Sequence, residues 1–353
     1  MEVSKLEDLS TLRKCTDLSA VSVNLAKLLG GNLVIYVIRY ALWALMPSGR
    51  LTINAPNTID SASLVPRRWS FQLLVQIIAK SCSDLGTIIY CDKASRKIIC
   101  SRTKDRQGNT AWSAGVIYSG MPSETKQLKR CINQLLLQPE IMGSGQIVVC
   151  GPPSGRSHIE GFKDVEYLPM ETPTASGRFM IGKKKMDLIR YMKNNKVLIC
   201  HTRIELRESC IKSLPDEFDV ITPSVWINGY KTKLPYLDLG FFESSAASMY
   251  SKRAQPSIAY DRSNWMEYLC RYYPYIDGGL FCIRRELALE VPINSEIAWA
   301  EAEDSEWCMR LTHLGKAVEL SIEAQAESAT SKMPRYSRYG HSFLYRLIHK
   351  LIR

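Results

Sequence analysis

Between residues 112 and 203 short apolar runs alternate with amphipathic stretches long enough to be helices. No other feature of the chain constrains its fold as strongly. Residues 112–120 read as a buried strand leaving through a glycine, and 123–137 as an amphipathic helix with Ser123 at its N-cap. Residues 146–151 form a second strand and 165–169 a short third. A basic helix is predicted over 181–194 and a fourth strand over 196–203. Strands joined by crossover helices make a largely parallel, helix-covered sheet with right-handed connections, so the fold class is α/β. Ligands of such sheets bind outside the carboxyl ends of the strands. Here those ends are Ser119-Gly120, Gly151-Pro152 and His201-Thr202-Arg203.

The chain of 353 residues leaves room for a second unit upstream. A helix ending near Met46, a Pro-Ser-Gly turn, a strand over 50–55, a helix over 69–80 and two strands over 86–91 and 97–101 make a small α+β block. A polar seam at 104–110 divides it from the rest. The apolar run 31–46 is shorter than the roughly 20 residues a membrane span needs, and Arg39 sits at its middle, so it reads as a buried core helix. The net charge of +11 suits phosphorylated substrates or an anionic membrane; no zinc-finger, RNP-like or basic-zipper pattern supports nucleic acid. The 11 cysteines are odd in number and never spaced C-x-x-C, and no signal peptide is read at Met1. They are expected to be free thiols in a reducing cytosol.

Two motifs carry chemistry. Tyr275-Ile-Asp-Gly-Gly-Leu-Phe-Cys-Ile-Arg-Arg-Glu286 is a Gly-Gly turn entering a buried strand and then a charged helix start. Downstream, Glu301, Glu303, Asp304 and Glu306 lie between Trp299 and Trp307. Carboxylates beside large aromatics suit a site that holds a sugar and takes a proton from a hydroxyl. The plain alternative is a solvated first helical turn, where the helix dipole favours acids. In this order the motifs resemble the acceptor side of family 2 GT-A glycosyltransferases, and the likeness covers about 111–325.

That resemblance implies a GT-A fold, Rossmann-like with a mostly parallel sheet, and a nucleotide-sugar donor, a UDP-sugar. It implies Asp304 as catalytic base, with Glu303 orienting the acceptor hydroxyl. Asp277, Gly278 and Gly279 would line the acceptor pocket, with Trp299 or Trp307 stacking on a sugar. Ser119, Gly120 and Gly151 would let the nucleotide approach the backbone, unless they only make turns. The run Lys183-Lys184-Lys185, with Arg178, would face the donor diphosphate through Lys184, unless it is a solvated helix face.

One departure stands out. Where the family carries Asp-x-Asp for a divalent cation, this chain has His201-Thr202-Arg203 and no acid until Glu205. Either Mg²⁺ or Mn²⁺ is held by fewer groups, with His201 contributing, or no metal is used and Arg203 and the lysines neutralise the leaving diphosphate. Loss of catalysis is the third option. The segment 30–103 also resembles the C-terminal half of a class I methyltransferase, through the helix, turn and strand of 41–56. The cofactor loop of that family is missing, so the block over 1–104 is read as a non-catalytic remnant, or an α+β appendage of other origin.

The expected protein is therefore an inverting hexosyltransferase over 111–330. It would act on a hydroxyl of a glycan or glycolipid in surface polysaccharide synthesis, in the cytoplasm or peripherally on the inner membrane face. Its rivals are a non-catalytic glycan- or nucleotide-sugar-binding scaffold and an active methyltransferase. In the tail, 334–353, Phe343/Leu344, Leu347/Ile348 and Leu351/Ile352 recur at helical spacing with Arg346, Lys350 and Arg353 between them. A basic amphipathic helix of this kind suits an anionic membrane surface. Deleting 334–353 should release the protein from anionic vesicles and leave transfer to a soluble acceptor largely intact. A truncated protein that melts much earlier, with a full-length protein that ignores vesicles, would instead make the tail part of a core or an interface.

Overall fold

The computed structural model describes the chain except residues 26–27, 29–31, 57–69, 106–110, 172–173, 176–177, 228–233, 236–237, 244–260, 299–301 and 330–353. The tail helix expected at 334–353 therefore lies outside the described residues.

The N-terminal block is a five-stranded sheet of β1 (Glu2–Val3), β2 (Leu18–Asn24), β3 (Leu45–Asn54), β4 (Gly86–Asp92) and β5 (Lys97–Arg102), in the spatial order β1-β2-β3-β5-β4. The first three strands are parallel and β5 runs antiparallel to both its neighbours. Three helices accompany it: α1 (Leu6–Lys14), α2 (Leu33–Ala44) and α3 (Phe71–Cys82). Ser70 caps α3, its Oγ accepting from the Leu73 N–H. Helix α2 is the apolar run with Arg39, and all twelve of its residues are buried. It ends at Ala44, two residues before the expected end. The expected Pro-Ser-Gly turn is part of β3, which passes through it with Ser48 in the left-handed region at φ 65° and a register shift against β2. Among the described residues no helix is long and apolar enough to cross a membrane.

The second sheet is the large, mostly parallel one that the GT-A resemblance implies. Its strands are β6 (Trp112–Ile117), β7 (Gln146–Gly151), β8 (Val165–Pro169), β9 (Lys196–His201), β10 (Ile204–Leu206), β11 (Val220–Ile227), β14 (Leu280–Arg284) and β15 (Val318–Ser328); β12 (Leu239–Glu243) and β13 (Tyr272–Ile276) form a separate antiparallel pair. The spatial order is β10-β15-β11-β14-β9-β6-β7-β8. Strands β9, β6, β7 and β8 are mutually parallel, as are β11 and β15; β14 is inserted antiparallel between β9 and β11. Alternate residues of β9 serve different cores, Val197 and Ile199 one and Leu198 and Cys200 the other. The crossover helices are α4 (Thr125–Leu136) and α5 (Ile181–Tyr191), followed by α6 (Arg285–Glu290) and α7 (Glu303–His313). Ser123 is not the cap of α4: it lies in a 3₁₀ turn, Pro122–Glu124, and Glu124 holds the N-cap position without a side-chain bond. Helix α5 stops at Tyr191, three residues short of expectation, because Asn194 and Asn195 lead into β9.

The two sheets share one hydrophobic core, running from Val3 and Leu9 through α2 to Phe241, Trp265, Leu311 and Val318. Buried charge crosses the same boundary. Arg39 is fully buried and pairs with Asp84 at 2.5 Å and with Asp219. Arg284 reaches both acids, at 2.8 and 2.7 Å, and Lys316 reaches Asp84 at 2.8 Å. Burial would raise the Asp84 carboxyl, but Arg39, Lys316 and Arg284 hold it well below the usual carboxylate range. Nearby, Arg13 pairs with Glu319 at 2.9 Å beneath the Trp43 ring, and Arg102 with Glu217 at 2.5 Å.

Three cations thus face two acids. Removing Arg39 leaves two against two, whereas Asp219→Asn leaves three cations on the half-buried Asp84 alone. In urea denaturation Asp219→Asn should cost roughly 3–5 kcal/mol, the usual cost of breaking a buried pair from one side. Arg39→Met should cost less. The reverse ranking would mean that packing of α2, not charge balance, sets the strength of this junction.

Candidate active site

The carboxyl ends of β6, β7 and β9 meet the entry to β14 at one end of the large sheet. After β6, the Tyr118 N–H donates to Cys150 O at 2.9 Å, which ties the first two strand ends together. Gly120 has φ 86°, and a methyl placed on it would lie 2.3 Å from Pro152 Cγ. A methyl on Gly151 would meet Tyr167 Oη at 2.7 Å. The close approaches at these glycines are therefore made by Pro152 and Tyr167 of the same chain, in keeping with the turn reading.

The three lysines part company on α5. Lys183 is exposed and pairs with Asp187 at 2.7 Å. Lys184 is buried, and its Nζ donates to Tyr118 O at 3.0 Å; burial pushes its ammonium below the usual lysine value. Lys185 is buried on the other side and faces Glu303 Oε1 at 3.3 Å. Consecutive residues on a helix point about 100° apart, so one helix start reaches both the end of β6 and the acids of α7. The side chain of Arg178 lies outside what is described.

Between β6 and β9, Glu124 accepts from the Ser119 N–H at 3.3 Å and the Thr202 hydroxyl at 3.5 Å. His201 donates its backbone N–H to Gly279 O at 3.0 Å, and its Nδ1 lies 3.0 Å from Arg203 Nη1. Arg203 Nη2 is 3.8 Å from Asp277 Oδ2, which also accepts from the Gly279 N–H at 3.2 Å. The two glycines permit this convergence: a methyl on Gly279 would sit 2.4 Å from Arg203 Nη2, and one on Gly278 2.2 Å from Lys185 Nζ.

Helix α7 begins after Ala302, which is left-handed at φ 64°. Glu303, Asp304 and Glu306 fill its first turn, where the helix dipole favours acids. Asp304 Oδ2 accepts from the Gly278 N–H at 3.1 Å and Oδ1 from the Ser305 N–H at 2.8 Å. Burial, with Glu303 and Asp277 adding like charge, pushes the Asp304 carboxyl up to about 6, against the pull of Lys185 and the Gly278 N–H. Glu306 pairs instead with Arg310, at 2.6 Å. Trp307 belongs to the core: it is 1% exposed, donates to Val291 O and packs edge-on against Phe281. Trp299 lies outside the described residues.

The fold thus brings Ser119, Lys184, His201, Arg203, Asp277, Gly278, Gly279, Glu303 and Asp304 into one constellation, with Gly120 and Gly151 on its rim. A divalent cation at His201 does not fit it. The guanidinium of Arg203 places a fixed positive charge beside Nδ1, where a hard cation requires carboxylates. Among the described residues no three His, Cys, Asp or Glu side chains are placed to hold a metal. Two members were not foreseen. Glu124 reads in sequence as a helix start, and Lys185 differs from Lys184 only in helical phase.

No family model matches the chain, and no curated protein matches it. Among solved structures it is similar to Staphylococcus aureus TarS 1–349, at 15% identity and a TM-score of 0.40, over 62% of this chain and 60% of that one. The same segment in complex with UDP gives 15% identity and a TM-score of 0.41 over the same shares. S. aureus TarS itself gives 12% and 0.40, over 62% of this chain and 37% of the other. Likeness this distant carries no functional weight, and none of it bears on the methyltransferase resemblance of the N-terminal block.

Gly120 and Gly143 separate conformation from contact. Both have positive φ, at 86° and 88°, but nothing lies within 4 Å of a methyl on Gly143. Each change to alanine should cost roughly 1–2 kcal/mol for the left-handed backbone. Gly120→Ala should cost measurably more in thermal unfolding, because Pro152 must move. Equal losses would show that the two strand-end loops separate freely.

Proposed function

We propose that the protein is an inverting glycosyltransferase that moves a hexosyl unit from a nucleotide-sugar donor, a UDP-sugar, to a hydroxyl of a glycan or glycolipid acceptor in surface polysaccharide synthesis. The observation that carries this reading is Asp304. It sits half-buried at a helix start, held by the N–H of a Gly-Gly turn, and raised by lost solvation and by Glu303 and Asp277 toward the value a base near neutral pH requires.

In this reading the nucleotide lies along the ends of β6, β7 and β9, near Ser119, Gly120, Gly151 and His201. The acceptor lies over Asp277, Gly278 and Gly279. Asp304 takes the proton of the acceptor hydroxyl as its oxygen bonds to the anomeric carbon. The bond from that carbon to the diphosphate breaks on the opposite face, its electron pair leaves with the diphosphate, and configuration inverts. Arg203 and Lys184 meet the charge on the leaving group, in place of a metal. Glu303 has one oxygen on Lys185 and offers the other to the acceptor. The block over 1–104 serves as a non-catalytic support, and the tail holds the enzyme at an anionic cytoplasmic membrane face.

The second reading, a non-catalytic glycan- or nucleotide-sugar-binding protein, is favoured by His201-Thr202-Arg203 standing where an acidic metal motif would be. Donor hydrolysis by the purified protein separates the two.

Asp304→Asn keeps the size of the side chain but removes the proton acceptor. Turnover should fall about a hundredfold or more with donor binding unchanged, and wild-type turnover in this variant would exclude Asp304 as base. The base works ionised, so activity should rise through about pH 6, with only ~10% of the base form left at pH 5. Activity should also survive EDTA. A complete loss restored by Mg²⁺ or Mn²⁺ would point to ligands outside this constellation.

A further inference from the structure

Lys185 takes no direct part in the chemistry above, yet like Lys184 it is an almost fully enclosed cation of the site. It is 2% exposed, and its Nζ lies 3.3 Å from Glu303 Oε1 and 5.9 Å from the centre of the Phe281 ring. It also sits against Gly278, whose N–H donates to Asp304, so closely that a methyl there would be 2.2 Å away. One ammonium therefore touches both the neighbour of Asp304 and the turn that binds Asp304.

The charges around Asp304 are few. From its own helix come Glu303 and, a turn later, the Cys308 thiol. From the end of β13 comes Asp277, backed by Arg203 at 3.8 Å. From α5 comes Lys185. Three carboxylates thus gather at one glycine turn, and Arg203 lies on the Asp277 side of it. Two buried carboxylates side by side cannot both stay ionised unless a cation joins them; one takes up a proton.

We infer that Lys185 is a positioning residue, whose buried ammonium neutralises Glu303 and holds the Gly278 turn so that the neighbouring Asp304 stays ionised near neutral pH and free to accept a proton. This rests on the reading of Asp304 as base, but the electrostatic part stands on the contacts alone. Among the described residues Lys185 is the cation placed against the Glu303–Asp304 pair.

The test uses the full chain and Lys185→Met, which keeps the stem and removes the charge. Its acid limb of turnover should move up by about one pH unit or more. Transfer should fall about threefold at pH 6.5 for a shift of one unit, and recover above pH 8, with donor KM little changed. Lys185→Arg, which keeps the charge, should restore most of the limb. A purely structural role would lower turnover equally at every pH, and that result would overturn the inference.

Carbon-13 carboxyl titration by NMR, with Asp304→Asn for assignment, supplies a readout independent of catalysis. The Asp304 signal should titrate about one unit higher in Lys185→Met than in wild type. An unchanged titration overturns the role of Lys185 whether or not sugar is transferred. Absence of transfer and hydrolysis with every nucleotide sugar tried, alongside a shifted titration, would instead remove the reading of function and leave the electrostatic role standing. Should Lys185→Met fail to fold, the double variant with Glu303→Gln removes both charges together, and its Asp304 titration is compared with that of Glu303→Gln alone. A higher value in the double variant supports the inference, and an equal one overturns it.

Discussion

The contact between Arg39 and Asp219 is the interaction on which the rest of the structure depends. Arg39 lies at the centre of the most apolar helix of the chain, and a guanidinium there is tolerated only where carboxylates meet it. Asp84, from the end of α3, and Asp219, from the start of β11, supply them. Helix α2 therefore cannot be buried correctly against the first sheet unless the second is already in place. The N-terminal block is less a separate domain than one wall of a shared core, since Tyr36 also reaches across to exchange hydrogen bonds with Val318.

That junction also bears on the candidate site through a single strand. Arg284, which joins the buried cluster, is the last residue of β14, and the turn Asp277-Gly278-Gly279 immediately precedes its first. Five residues of strand span roughly 17 Å. One end of β14 is clamped by Asp84 and Asp219, and the other delivers the Gly278 N–H to Asp304. A one-residue slip of β14 would exchange its two faces and break both ends together. The antiparallel strand at the middle of an otherwise mostly parallel sheet is thus pinned by charge behind and by a carboxylate cluster in front.

Much of this was legible in the residues. The apolar runs located β6, β7 and β9, because strands buried on both faces leave continuous hydrophobic stretches, whereas β8 is a half-buried edge strand. The Gly-Gly turn and the acidic helix start were visible as chemistry, since glycines beside carboxylates are a local pattern. Other features depend on what lies far away in sequence. Pro47-Ser48-Gly49 has the composition of a turn, yet the pairing of β3 with β2 and β5 carries the strand through it. Ser123 looks like a cap, but Pro122 begins a 3₁₀ turn one residue earlier and Glu124 is drawn to Ser119 and Thr202. The shared core was not readable at all, because a buried helix carries no mark of which sheet will cover it.

The lysine run on α5 shows why adjacency in sequence misleads about adjacency in a site. Three consecutive lysines suggest one anionic ligand, but a helix turns them apart by about 100° each. Only Lys184 reaches the end of β6, where a donor diphosphate would lie, and Lys183 stays in solvent. Lys185 goes to the acids of α7. A single helix start is therefore wedged between the strand ends of one half of the site and the carboxylates of the other. Any movement of α5 that loosens Lys184 from Tyr118 must also move Lys185 relative to Glu303. The two halves are mechanically joined through two adjacent residues.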